Sequence, residues 1–333
     1  MTFSRLLAPT LSLMMLSGCA LSPDSAPVHT FYDSTVHNHR NQAITLTELA
    51  RELAPADVVI IGEFHGHQGA HLLQARLQAA LHQQRPDQVL VMEAFETDTQ
   101  PAIDRYLAGE LGESELIEDA RGWENYRGSY RPLMEYARHH GLPVRAANAP
   151  VDLVRCVGQQ GKSYVGTLAP EHRQALPDQP FPQVAGYRER FFDQLQGEHA
   201  SEDGNHSRQL ENTYQAQLLR DSTMAATVLD ALNEAPRRQA LMIVGSFHSD
   251  QRQGMVAILE QLTPQLEVRV LTPVLAESDT SPEVAAGDYW YQLWPLPTRF
   301  HDVQRERNHL TEAFRNRPTP DCGPATESAP SRQ

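Results

Sequence analysis

Apolar positions along this chain follow two rhythms. Five short runs, at residues 57–61, 88–92, 143–147, 240–244 and 267–271, are nearly continuous in apolar character and bounded by charge or turn-forming residues. Such runs predict strands buried on both faces. Between them the spacing changes to three and four. Residues 71–84 place Leu72, Leu73, Leu77, Ala80 and Leu81 on one helical face. Residues 130–140 do the same with Leu133, Met134 and Ala137 and stop at Gly141, which suits a left-handed helix end. A third helix, over 252–262, follows the fourth run. Strands alternating with helices predict an α/β fold, a mostly parallel sheet flanked by helices.

The interval between the third and fourth runs is too long for one crossover. It holds an apolar segment at 151–157, a proline-rich piece at 176–182, a segment at 186–196, a polar break at 197–205 and a long helical pattern over about 206–232. The pattern predicts a small inserted helical domain over 151–235, within an α/β domain formed by 41–150 and 236–315. Residues 316–333 are rich in proline, serine and acid and read as disordered.

The first residues change the picture, because they carry an address. One cation, Arg5, precedes the short apolar stretch 11–16, and Leu16-Ser17-Gly18-Cys19 follows. These are the parts of a secretory signal over 1–18, too short to span a bilayer, which takes roughly 20 apolar residues. The Leu-Ser-Gly-Cys ending resembles the bacterial lipobox, so Cys19 is the expected lipidation site and mature N-terminus. At about 0.8 kcal/mol per buried methylene, two or more acyl chains anchor firmly. Ala20 is not the aspartate that retains lipoproteins in the inner membrane, so the expected location is the outer membrane, lipid-anchored, facing the periplasm or the surface. Residues 19–40 read as a tether.

Composition narrows function by exclusion. A formal charge of −14 argues against nucleic acid as a partner, since a phosphate-binding face needs clustered cations. Beyond Cys19 the cysteines are Cys156 and Cys322; an oxidising compartment permits a disulfide between them, and nothing in their spacing dictates one. No Cys-x-x-Cys-His is present, which excludes covalent c-type haem attachment.

In an open parallel sheet ligands bind at the carboxyl ends of the strands. Here the first run is followed by Gly62-Glu63-Phe64-His65-Gly66-His67, the second by Glu93, the third by Asn148 and the fourth by Gly245-Ser246-Phe247-His248. Two acids, two histidines and an amide converge on one rim, and a carboxylate beside apolar strands is costly unless it is partnered. His67 and His71 stand four apart on the following helix, a spacing that can hold zinc, though a solvated face accounts for it as well.

GEFHG, MEAF, the stretch 123–150, the segment Gln217-Leu-Leu-Arg-Asp-Ser-Thr-Met-Ala225 and GSFH occur in order. Together they resemble the ChaN-type haem-binding lipoproteins, in a superfamily with the erythromycin esterases and the Tiki metalloproteases. The resemblance spans roughly residues 46–271. It implies a parallel α/β domain with a small helical domain, and haem binding in iron uptake with an outer-membrane haem receptor as partner. It also implies a homodimer in which a tyrosine holds each iron with a histidine nearby. Phenolate suits ferric iron as a hard, exchangeable ligand. Tyr214 is the first candidate, Tyr130 and Tyr187 follow, and His199 and His206 are candidate second-subunit histidines. The alternative implied by the hydrolytic branches is a metal-dependent hydrolase using Glu63, His65, Glu93 and His248, with a divalent metal ion on His65, Glu93 and His248. A structural envelope lipoprotein with a vestigial rim is the third reading.

Overall fold

A computed structural model describes residues 30–196, 204–235, 237–276, 281–315 and 319–323. The expected signal, Cys19, His199 and most of the 316–333 tail lie outside the described residues, as does the side chain of His206.

Among the described residues eight strands form one sheet: β1 (Ser34–Asn38), β2 (Ala43–Ile44), β3 (Val58–Glu63), β4 (Gln88–Glu96), β5 (Val144–Asn148), β6 (Gln239–Gly245), β7 (Val268–Leu275) and β8 (Tyr289–Leu293). The helices of the first half are α1 (Leu46–Leu53), α2 (Gln68–Gln84), α3 (Gln100–Leu107), α4 (Glu113–Asp119), α5 (Tyr126–Ser129) and α6 (Arg131–His140). Those of the second half are α7 (Val151–Gln160), α8 (Pro170–Gln174), α9 (Tyr187–Gln196), α10 (Gly204–Glu234), α11 (Met255–Leu262) and α12 (Val303–Arg315). The order across the sheet is β2-β1-β8-β7-β3-β6-β4-β5. From β8 to β5 every pairing is parallel, whereas β1 and β2 close one edge antiparallel.

The five expected strands are β3 to β7, and the mostly parallel α/β class holds. Every residue of β3 and β6 is buried, because helices cover both faces. Alternate side chains divide the core. Val59, Ile61, Leu90 and Leu241 pack under α1, α2 and α6, while Val58, Ile60, Val89 and Met242 pack under α10 and α11. Local signals set the ends: Thr45 and Glu48 make a reciprocal cap at α1, and Gly141 closes α6 at φ 65.

Three boundaries differ from expectation. The stretch expected as tether, 19–40, includes β1, which pairs with β8 from Ser34 onward. Neither strand carries a Val/Ile/Leu run. β1 is a half-buried edge-side strand and β8 is aromatic, so apolar periodicity passes over both. The segment expected as an insert does more than form its own cluster. Val154, Val157, Tyr164, Ala216 and Leu219 make that cluster, but Met224, Ala225, Val228 and Ala231 of α10 lie on the main sheet. Finally, Cys322, in the tail expected to be disordered, is bonded to Cys156 and pins residues 319–323 against α7.

Strand order decides where chemistry can gather. β6 enters between β3 and β4, so the carboxyl ends of three strands far apart in sequence become neighbours.

Candidate functional site

The rim contains two carboxylate–imidazole groups that meet at Gly245. The first grows from the end of β3. Glu63 is buried, and its Oε1 accepts from the Tyr130 hydroxyl at 2.6 Å and from His65 Nδ1 at 2.9 Å. Its Oε2 accepts from Gln74 Nε2 at 2.6 Å. A relay from the turn stands behind this contact. The Gly66 N–H donates to His71 Nε2, His71 Nδ1 then donates to Gln74 Oε1, and Gln74 donates to Glu63. Because His71 Nε2 is an acceptor, the ring is neutral, and burial lowers its pKa accordingly. Burial pushes Glu63 up, but the hydrogen bond and charge of His65, with the Tyr130 hydrogen bond, outweigh it and hold the carboxyl below its ordinary range.

His65 is the open member. Its side chain is 46% exposed, and it meets the Trp123 ring edge-on at 5.0 Å. Burial lowers its pKa, but the Glu63 hydrogen bond and the charges of Glu93 and Glu63 prevail, so the net direction is upward. With Nδ1 spent on Glu63, Nε2 lies over Gly245, where an added Cβ would come within 2.8 Å of it. Only glycine leaves room there.

The second group is closed. Glu93 is buried within β4, and its Oε2 accepts from the Gly245 N–H at 2.6 Å. His248 places Nε2 3.3 Å from Glu93 Oε1 and Nδ1 2.7 Å from Asp221 Oδ1. Asp221, on α10, also accepts at Oδ2 from the Tyr187 hydroxyl at 2.8 Å. Burial lowers the pKa of His248, but Asp221 and Glu93 on either side overcome it and hold it at about 10. Burial likewise raises Glu93, yet the charge and hydrogen bond of His248 bring it down to about 2. Sequence reasoning missed Asp221, although the Gln217–Ala225 segment contains it; its four-residue spacing from Gln217, which also reaches His248, was the available signal.

The expected metal set is not assembled. Both nitrogens of His248 face carboxylates, and among the described residues no three His, Cys, Asp or Glu side chains group to hold a metal ion. Nor do His67 and His71 form a solvated face. Both are buried, with His67 capping α2 and donating to the Trp294 carbonyl. Asn148 accepts from Arg220.

The expected haem tyrosines are all covered. Tyr130 and Tyr187 are buried with their hydroxyls on Glu63 and Asp221, and burial, reinforced by those carboxylates, raises both phenols far above the ordinary value. Tyr214 is 6% exposed, ringed by Tyr187, Phe191 and Phe192, and burial raises it to about 12.

Fold and site thus define a parallel α/β protein with an acid–histidine rim of which one histidine is open. Residues 49–259 match the family described as haem-binding uptake, Tiki superfamily, ChaN, and the chain belongs to that family. A ChaN of Campylobacter jejuni, solved with cofacial haem bound, has the same fold: TM-score 0.60 at 14% identity, covering 81% of this chain and all of that one. An erythromycin esterase mutant in its open conformation is more distant, at TM-score 0.41 and 15% identity over 79% of this chain and 81% of that one. A MARTX toxin effector domain of Vibrio vulnificus stands at TM-score 0.40 and 19% identity, over 70% of this chain and 36% of that one. No curated protein matches the sequence.

Proposed function

We propose that this chain is a haem-binding lipoprotein of the outer membrane, anchored through Cys19, that takes part in haem uptake as a homodimer with an outer-membrane receptor. The observation that carries the reading is the family match over residues 49–259. The lipobox supports the anchor, and among the described residues no helix is long and apolar enough to cross a membrane. The cofacial haem of the Campylobacter jejuni protein supports a dimer that encloses the pigment.

Bound haem supplies a ferric centre that favours a hard anionic oxygen. The chain's part is to offer an accessible donor and an apolar surface. His65 fits as a nearby base or hydrogen-bond partner, because it is half-exposed and fixed in orientation by Glu63. Tyr130 and Tyr187 do not fit as they stand, since a phenol held by a buried carboxylate keeps its proton. Tyr214 needs its aromatic ring of neighbours to open.

Titrating the mature lipoprotein in detergent micelles with hemin tests this reading. A Soret band that saturates, with the assembly mass moving to that of a dimer, is the expected result. Protein that leaves the spectrum of free hemin unchanged ends the proposal.

A second reading is favoured by the His65–Glu63 pair alone. An exposed imidazole oriented by a buried carboxylate can take a proton from water, as a hydrolase requires. Release of product from ester or peptide panels, abolished by His65→Ala, is its signature.

A further inference from the structure

The acid–histidine groups occupy the β6 and β4 side of the rim; the β7 side is built differently. Past Leu271, where its pairing with β3 ends, β7 continues through residues 272–275 along β8 alone. A Cβ on Gly62 would fall 2.9 Å from Ser249 Oγ and 3.3 Å from Pro273 Cδ, so the loop after β6 and the extension of β7 converge on the end of β3. Ser249 also belongs to the wall of a cavity of about 590 Å³, with Arg190, Asp250, Pro273, Val274 and Val284. The carboxyl ends of parallel strands are where such folds bind ligands.

Two charged groups in that wall lack partners. Arg190 Nε and Asp250 Oδ1 are buried and, among the described residues, hydrogen-bonded to nothing. A buried donor or acceptor left open is costly, and more so on a charged group. Contact between the two would relieve both, yet neither atom reaches the other, although each group feels the other's charge. Both are held in place. Arg190 donates from Nη2 to the Phe247 carbonyl at 2.9 Å and lies over the Phe247 ring at 4.4 Å. Asp250 opens a loop in which Gln251 and Arg252 both have positive φ, 58 and 54, and Arg252 is tied to Asp288 at 2.6 Å. Left-handed backbone at two successive non-glycine residues persists only where the surroundings enforce it. The fold therefore keeps one cation and one anion fixed and unpaired in the wall of a single cavity. Burial pushes the Asp250 carboxyl up to about 6, as expected of an acid short of a cationic partner.

We propose that this cavity binds a small zwitterion, an α-amino acid with an apolar side chain. Its carboxylate accepts from Arg190 Nε, its ammonium donates to Asp250 Oδ1, and its side chain lies against Pro273, Val274 and Val284. A ligand of one charge satisfies one group and leaves the other open, so the site selects for both charges together. The proposal is independent of the haem reading.

Equilibrium dialysis of labelled L-leucine against the mature lipoprotein in detergent micelles tests the site at neutral pH. The analogues 4-methylpentanoate and 3-methylbutylamine present the same skeleton stripped of one charge. Wild-type protein is expected to bind leucine at least about tenfold more tightly than either, since each leaves one buried charge open. Asp250→Asn is expected to lose the advantage over 4-methylpentanoate, and Arg190→Gln the advantage over 3-methylbutylamine, with circular dichroism confirming that both are folded. The wild-type comparison decides the matter even if a variant fails to fold. Equal binding of leucine and its analogues overturns the proposal, as does wild-type protein that binds none of leucine, valine and phenylalanine. Leucine whose advantage survives in both variants is bound elsewhere, which overturns the assignment to this cavity.

Discussion

His65 and His248 are built from the same parts and end in opposite conditions. Each ring is held by a buried carboxylate, and the backbone of Gly245 lies between them. His248 has a carboxylate on either side, which leaves neither nitrogen free and fixes a positive charge in the interior. His65 has one bonded carboxylate and nearly half its surface in solvent. The number of acids facing the ring separates a structural ion cluster from a group available to a ligand. A histidine motif at a strand end therefore does not by itself mark chemistry.

The largest effect that sharpens this contrast belongs to His248. Removing one partner of a buried ionic cluster leaves its neighbours uncompensated, which costs about 3–5 kcal/mol. His248→Ala is expected to unfold at correspondingly lower urea concentration, since Glu93 and Asp221 lose their shared cation. The pH profile checks the cause. Glu93, depressed to about 2, stabilises the fold above its ordinary 4.5, and that contribution is lost as pH falls through about 2. His248, raised to about 10, stabilises it below 6.5, and that contribution is lost as pH rises through about 10. Wild-type stability should therefore decline between pH 6.5 and 10, and His248→Ala should flatten that decline. Equal midpoints for variant and wild type would contradict a closed cluster.

Tyr130→Phe acts on the open side and is expected to be milder. It deletes one of three donors to Glu63, and hydrogen bonds to a charged group are worth about 1.5–3 kcal/mol. Equilibrium unfolding measures the loss. The same variant separates two roles for Tyr130, because a haem ligand would also alter the hemin spectrum, which a partner of Glu63 leaves unchanged.

What could be read in the sequence follows from how local each signal is. The buried strands announce themselves, because an all-apolar run covered on both faces has few alternatives. Glu63, His65, Glu93 and His248 were legible for the same reason, as polar residues ending apolar runs. Asp221 was not, because its partner lies 27 positions away on another element and α10 carries many polar side chains. The edge was hidden differently. β1 stands in a stretch whose composition reads as tether and β8 is aromatic, so neither carries an apolar run. Only their pairing brings them to the sheet.

The smallest expected effect is the most informative about His65. Because the His65 side chain is 46% exposed, water can take its place on Glu63, which it cannot do for the buried Tyr130 hydroxyl, so the loss is expected at the lower level of an ordinary hydrogen bond, about 0.5–1.5 kcal/mol. His65→Ala should thus unfold only slightly below the wild-type urea concentration, in contrast to His248→Ala. Its titration, followed by NMR of the ring protons, should lie above the ordinary 6.5 in wild type. In Glu63→Gln it should fall back, because the amide keeps the shape but drops the charge that holds the proton. If His65→Ala proved as damaging as His248→Ala, both clusters would be structural and the rim would hold no open group. A near-neutral His65→Ala with a shifted titration would instead mean that the fold maintains a poised imidazole at the surface without needing it for stability. That condition is met by groups that serve a ligand, because packing alone gives no reason to bury Glu63 beneath an exposed ring.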